Sequence, residues 1–249
     1  MDDFLLFIAI GFIAQVIDGA LGMAYGVTIT SFLLNFGIMP STASAITHAA
    51  ECVTTGFSAI AHHRFGNVDR TLFFRLLLPG MIGAVIGVLV LTRIDNGFIK
   101  PFIGLYLLIM GIIVLSKAFT VFPPKKVGTH LIPLGFIGAF MDAIGGGGWG
   151  PIVTSTLLAS GFNARKTIGT VNASEFFIAT TASITFLLSN VIVGWKVILA
   201  LAIGGAIASP IGAILCKYVP VKVLLLIVGF LIIGLSSRTL WLSYHEFFP

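Results

Sequence analysis

Residues 141–151 read MDAIGGGGWGP, which places an acid, five glycines and a proline inside an apolar run from Leu131 to Phe162. Glycine costs about 1 kcal/mol and proline about 3 kcal/mol in a helix interior, so this stretch predicts a broken helix. Within a bilayer, broken backbone is tolerated only where protein or a water-filled cavity surrounds it. An ionisable residue beside such a break, here Asp142, indicates a functional site.

The same pattern occurs earlier in the chain. A shift of 124 positions without a gap places Asp18 on Asp142 and Glu51 on Glu175. A matched set of acids and glycines in register indicates a duplication, which we predict to form one transmembrane domain with repeats at 1–122 and 131–249 and a linker at 123–130. The matched pairs at the breaks and beyond are Gly22 with Gly146, Tyr25 with Trp149, Gly26 with Gly150, Thr30 with Thr154 and, after one inserted residue, Gly87 with Gly212.

The composition is typical of an integral membrane protein, because 57% of the residues are hydrophobic, 9% are charged and the mean hydropathy is +1.10. The net charge of +5 reflects Lys and Arg in membrane loops, so we expect the lipid bilayer and no nucleic acid as a partner. The apolar runs do not alternate as barrel strands would, and the predicted fold class is all-α. Six segments are long enough to span the membrane: roughly 42–61, 72–92, 97–119, 165–190, 195–216 and 221–243.

Each repeat opens with an apolar segment that contains its break. This segment either crosses the membrane once or forms a hairpin of two half-helices that returns to its own side. The hairpin places ten of the 14 Lys and Arg residues on one side, whereas the single crossing places eight there, and such residues collect on the cytoplasmic side. Charge therefore favours a re-entrant hairpin plus three transmembrane helices in each repeat. The two repeats would then be inverted, with both termini outside and Lys125 of the linker in the cytoplasm.

Four of the nine acids lie within apolar segments, namely Asp18, Glu51, Asp142 and Glu175. Each costs about 2.5–3.5 kcal/mol at a helix centre, and the rise per residue places them near the midplane. The two aspartates directly precede their breaks and could cap the exposed amides, a role that is compatible with function. His48 lies three residues before Glu51 on the same helix face, where it could relay protons. We predict proton coupling through these five residues.

The second half-helices begin near Gly26 and Gly150, where free amides and the helix dipole provide partial positive charge suited to an anion. We expect no Lys or Arg at the midplane, so a bound anion would depend on amides, dipoles and hydroxyls. Asn172 precedes Glu175 as His48 precedes Glu51. No metal site or cofactor is predicted. The candidate substrate-binding residues are Gly22, Tyr25, Gly26, Thr30, Gly146, Gly147, Gly148, Trp149, Gly150, Thr154 and Asn172.

The chain resembles the sulfite exporter TauE/SafE family of membrane proteins. The similarity is carried by the glycine-containing breaks at Gly22–Gly26 and Gly145–Pro151, each in a segment led by Gly-Phe-Ile, and by Gly66–Asp69 after the second segment. It extends from about Phe4 to Tyr244. The resemblance implies export of a small sulfur-containing anion, such as sulfite or an organosulfonate, across the bacterial cytoplasmic membrane.

Several alternatives stay open at this point. The same carboxylates could bind a transported cation, or the chain could be a structural membrane partner. An intramembrane enzyme is disfavoured because the sequence has no Gly-x-Ser-x-Gly, His-Glu-x-x-His or ATP-binding motif. His62 and His63 have no third ligand at a suitable spacing and are interpreted as an interfacial pair. The substrate, direction, coupling stoichiometry and oligomeric state, including a homodimer, are left open.

Overall fold

The computed structural model describes residues 2–119, 130–191, 194–215, 218 and 221–247. These residues form helices joined by short turns, and no strand occurs among them. The predicted all-α fold class is confirmed. The helices are α1 (Asp2–Leu21), α2 (Tyr25–Asn35), α3 (Pro40–Arg64), α4 (Arg70–Leu91), α5 (Asn96–Lys117), α6 (Leu131–Gly145), a π-helical turn (Gly150–Thr154) that leads into α7 (Ser155–Ala159), α8 (Ala164–Leu188), α9 (Trp195–Leu215) and α10 (Val221–Phe247).

The six long segments predicted from the sequence correspond to α3, α4, α5, α8, α9 and α10. Among the described residues, six helices are long and apolar enough to span a membrane, and this set includes α1 instead of α3. The 20 residues of α1 rise by about 30 Å, which exceeds the half-helix expected from the sequence. The 25 residues of α3 are less apolar because they carry many buried polar side chains. These are Ser41, Ser44, Thr47, His48, Glu51, Thr54, Thr55, Ser58 and His62.

Helix pairing follows the duplication. Helix α1 packs on α9, and its counterpart α6 packs on α4. In the same way, α3 packs on α9 and α8 packs on α4. Two helices also pack on their own counterparts, α3 on α8 and α5 on α10. Glycines allow close approach at equivalent points. A Cβ added to Gly87 would lie 2.7 Å from the carbonyl oxygen of Phe140, and one added to Gly212 would lie 3.0 Å from that of Val16. Small residues therefore bring these helix backbones together.

The chain reverses direction at the first break. The rings of Phe7, near the start of α1, and Phe36, just after α2, have centroids 5.5 Å apart. If α1 continued straight into α2, the offset of 29 positions from Phe7 to Phe36 would separate the two rings by roughly 43 Å. The two helices therefore fold back on one another.

Counterpart helices run antiparallel. In the α3–α8 pair, Cys52 contacts Ser183 through a 3.4 Å hydrogen bond, while Ser58 donates to Asn172 at 2.7 Å, so positions rise in α3 as they fall in α8. The α5–α10 pair behaves likewise, because Gly104 packs on Leu240 while Gly111 packs on Ile232. Most of the predicted linker, including Lys125, lies outside the described residues.

Candidate functional site

The two breaks adopt related backbone conformations. Helix α1 is followed by Gly22 and α6 by Gly146, and both glycines have a φ of 65°, in the left-handed region that glycine adopts without strain. The first break has fewer glycines, and its Ala24 takes a φ of 112°, where the equivalent residue of the second break is Gly148. A left-handed alanine is strained by about 1 kcal/mol or more.

The breaks pack directly against each other. A Cβ added to Gly147 would lie 2.1 Å from the amide nitrogen of Val27, and one added to Gly150 would lie 2.6 Å from the carbonyl oxygen of Gly22. Neither position has room for a side chain. The glycines predicted as binding residues therefore first serve the contact between the two halves of the chain.

Two reciprocal hydrogen bonds join the breaks. The hydroxyl of Thr30 donates to the carbonyl of Gly146, and the hydroxyl of Thr154 donates to the carbonyl of Gly22 at 2.6 Å. Thr30 and Thr154 are equivalent residues of the two repeats, and each bonds to the break of the other repeat. Each predicted hydroxyl is thus committed to the opposite break as a donor.

Both aspartates cap their own breaks, in agreement with the capping hypothesis. Asp18 Oδ1 accepts the amide hydrogen of Tyr25 at 3.3 Å, and Asp142 Oδ1 accepts that of Trp149 at 3.0 Å. These amides are the first of the second half-helices. In each break, the aspartate therefore occupies one of the amide donors that the sequence analysis assigned to a bound anion.

Asp142 has a second partner. Its Oδ2 lies 3.1 Å from Nε2 of His48, and both side chains are buried. His48 Nδ1 lies 2.8 Å from the carbonyl oxygen of Ser44, which can only accept, so Nδ1 carries a hydrogen. A hydrogen bond between Nε2 and Oδ2 then requires one further proton on either atom. The pair has the geometry to share a proton.

Three carboxyl groups have oxygens without a hydrogen-bond partner in the described part of the chain. Glu51 is 1% exposed and both of its oxygens lack a partner, as do Oδ2 of Asp18 and Oε2 of Glu175. Glu51 points at the break, because its Oε1 lies 2.9 Å from the Cβ position of Gly26. Burial without hydrogen bonds favours the neutral form of a carboxyl group. Glu51 and the two capping aspartates therefore gather around the contact between the breaks.

Asn172 does not reproduce the arrangement of His48. Its Oδ1 accepts from Ser58 at 2.7 Å, and its Nδ2 donates to the carbonyl of Ile168 at 3.1 Å.

Among the predicted substrate-binding side chains, Tyr25 and Trp149 are fully buried beside the breaks, and the Trp149 indole donates to the carbonyl of Val171 at 3.3 Å.

Sequence reasoning missed Tyr106 of α5. A Cβ added to Gly148 would lie 1.8 Å from its hydroxyl oxygen, and one added to Gly145 would lie 2.1 Å from its ring. The buried hydroxyl has no hydrogen-bond partner among the residues the structure describes. When the one inserted residue is allowed for, the position equivalent to Tyr106 in the second repeat is Leu231. This difference between the repeats could have indicated Tyr106.

His62 makes contacts that its position beside His63 did not indicate. It is buried, whereas His63 is exposed, and its Nε2 lies 3.1 Å from the carbonyl oxygen of Gly19 near the end of α1. Asn67 donates to its Nδ1 at 3.1 Å, which leaves Nε2 to carry the hydrogen. His62 therefore ties α3 to the end of α1 at the first break.

Comparisons with known proteins agree with the resemblance. A family model described as sulfite exporter TauE/SafE matches residues 7–239. The chain is 44% identical over 262 aligned positions to "Probable membrane transporter protein YtnM" of Bacillus subtilis (strain 168), an alignment that covers 100% of this chain and 87% of that protein. No solved structure matched the chain. Because the family model and this relative both match nearly the whole chain, it belongs to the sulfite exporter TauE/SafE family of membrane transporters.

Proposed function

We propose that the protein is a secondary transporter that exports a small sulfur-containing oxyanion of the sulfite or organosulfonate type across the bacterial cytoplasmic membrane. Proton coupling through the buried carboxyls accompanies this transport. The observation that carries the proposal is the contact between the two breaks, with the unpaired carboxyl group of Glu51 directed at it. A buried carboxyl without a hydrogen-bond partner lowers the stability of a membrane protein, so its presence points to a role in binding or coupling.

Inverted repeats are the architecture we propose for this transporter. The antiparallel α3–α8 and α5–α10 pairs and the reversal between α1 and α2 support it. Each repeat would contain a re-entrant hairpin and three transmembrane helices, and both termini would lie outside. Alternating access would then move one repeat against the other around the breaks.

Protonation supplies the coupling in this proposal. A neutral Glu51 can donate a hydrogen bond to an anion, whereas an ionised Glu51 repels it. Proton and anion therefore favour each other's binding, and linkage requires that the effect be mutual. Glu175 is expected to act similarly, while the His48–Asp142 pair keeps its own proton next to the second break.

Sulfite flux in sealed liposomes tests the proposal. Purified protein is reconstituted, the vesicles are loaded with labelled sulfite, and release is followed with and without an imposed pH gradient. We expect release above that of protein-free vesicles and a rate that changes when the gradient is reversed. Release equal to that of protein-free vesicles for sulfite and for a panel of organosulfonates would contradict the proposal.

Cation transport is the second candidate, and one observation favours it. Potential ligand atoms of His48, Glu51 and Asp142 all lie within 4.8 Å of one another, and all three residues are buried. Imidazole and carboxylate ligands suit a divalent transition metal. Flux of the metal separates the two candidates: an anion transporter should release sulfite and carry no labelled Zn²⁺ or Mn²⁺, whereas a cation transporter should carry the metal.

A further inference from the structure

An apolar groove lies on the outer face of the helix bundle, between α3, α4 and α8. Its volume is about 850 Å³. Val53, Phe57 and Ile60 of α3 line one wall and are each exposed by more than a third of their surface. Other lining residues include Phe74 of α4 and Phe177 of α8, both also exposed. The groove is separate from the contact between the breaks.

The length of the groove matches one leaflet of a bilayer. It extends along α3 from Cys52 to Arg64, a rise of roughly 18 Å at 1.5 Å per residue. Half of a hydrocarbon core is about 15 Å thick. A single acyl chain aligned with α3 would therefore fill the groove from the membrane interior to the interface.

One end of the groove is positively charged. Arg64 at the end of α3 and Arg70 at the start of α4 both line it, and both are exposed. Neither has a hydrogen bond or an ion pair with another described residue. The nearby carboxyl group of Asp69 accepts the amide hydrogens of Thr71 and Leu72, so it is committed to the start of α4. Two arginines beside an apolar groove complement a phosphate that is attached to an acyl chain.

We propose that this groove binds one anionic phospholipid, with an acyl chain along Val53, Phe57 and Ile60 and the phosphate between Arg64 and Arg70. The lipid would lie behind Glu51 and Glu175, because Cys52 and Ala173 line the groove from the same stretches of α3 and α8. A small free oxyanion does not fit this site as well, since the walls away from the charged end are apolar. This site is independent of the transported substrate.

Native mass spectrometry tests the proposal. The protein is reconstituted in equal amounts of phosphatidylcholine and phosphatidylglycerol, extracted gently, and analysed for retained lipid. We expect one phosphatidylglycerol per chain. The double variant Arg64→Ala/Arg70→Ala should bind it about thirtyfold more weakly, since each basic residue near a membrane surface contributes about a factor of five.

Two further variants separate charge from shape. Arg75→Ala/Arg165→Ala also removes two exposed arginines, but neither lines the groove, so retention should stay as in the unmodified protein. Ala59→Trp keeps every charge and fills the groove, so retention should fall. Equal retention in all variants would overturn the proposal. So would a dimer that retains no lipid, because the occupant would then be a second copy of the chain.

Discussion

The two breaks share a backbone arrangement and differ in the side chains around it. In both, an aspartate caps the amide seven residues later, and a left-handed glycine follows the first helix. Asp142 also contacts His48, whereas Oδ2 of Asp18 has no partner in the described ranges. The duplication has therefore kept the geometry that joins the breaks while the groups that can carry protons have diverged.

The two breaks also differ in the room that they leave for a side chain. In the second break, the hydroxyl of Tyr106 fills the volume that a side chain on Gly148 would need. In the first break, the equivalent residue is Ala24, which fits but is held at a positive φ. One break requires glycine for room, and the other accepts a Cβ with backbone strain.

The largest effect is expected at Gly147. Its added Cβ would collide with backbone atoms of Gly26 and Val27, which cannot move without separating the breaks. We expect Gly147→Ala to lower the stability by more than about 3 kcal/mol or to prevent folding. Thermal unfolding in detergent measures this. Gly234→Ala is the control, because nothing lies within 4 Å of that position, and it should be neutral or stabilising.

Gly148→Ala should destabilise the protein by about 2–3 kcal/mol because of the Tyr106 hydroxyl. Removing that hydroxyl should restore part of the loss, since the next ring atom, Cζ, lies 3.1 Å from the added Cβ. A double-mutant cycle of Gly148→Ala with Tyr106→Phe measures the coupling. Additive losses would show that the ring does not pack on the second break as described.

Removing the caps should affect the two breaks unequally. Asp142→Ala removes a cap and leaves His48 buried without its partner, for an expected loss of about 2 kcal/mol. Asp18→Ala removes a cap alone, for about 1 kcal/mol. Unfolding midpoints of the two variants in the same detergent give the comparison. A larger loss for Asp18→Ala would reverse the contrast between the breaks.

The smallest effect is expected for the reciprocal hydroxyls. Thr30→Val and Thr154→Val each remove one hydrogen bond to the opposite break, worth about 0.5–1.5 kcal/mol. The loss for Thr30→Val should be somewhat larger, because the Thr30 hydroxyl also lies 2.9 Å from that of Thr47, whereas the equivalent position in the second repeat is Val171. A larger loss for Thr154→Val than for Thr30→Val would contradict this description of the contact between the breaks. Thr180→Val is a suitable control, since that hydroxyl bonds within its own helix.

Much of the fold was predictable from the sequence. Apolar segment length located the six long helices, and the 124-residue shift located both breaks. Hydropathy could not give the contacts between helices that place Glu51 against Gly26. The contact of His62 with Gly19 was not foreseen, because sequence spacing only grouped His62 with its neighbour His63. Tyr106 was missed because one tyrosine in an apolar helix has no local signal, although the repeat register offered one.

The asymmetry at the centre of the site was only partly predictable. The sequence showed that His48 is replaced by Asn172 in the second repeat, and it placed both next to glutamates. It did not show that His48 contacts Asp142 of the other repeat, or that Asn172 is satisfied by Ser58 and Ile168. Such contacts depend on how α3, α6 and α8 pack, and sequence spacing carries no information about them.

The most direct measurement compares sulfite exchange and pH-driven sulfite flux in liposomes that contain Glu51→Gln. Gln resembles the neutral carboxyl group, so the variant should still exchange sulfite at equilibrium but should no longer respond to a pH gradient. Glu175→Gln should show a related defect, and Asp3→Asn, which alters an exposed acid, should behave as the unmodified protein. If both glutamate variants keep the unmodified pH response, the buried glutamates are structural and the proposed proton coupling is wrong.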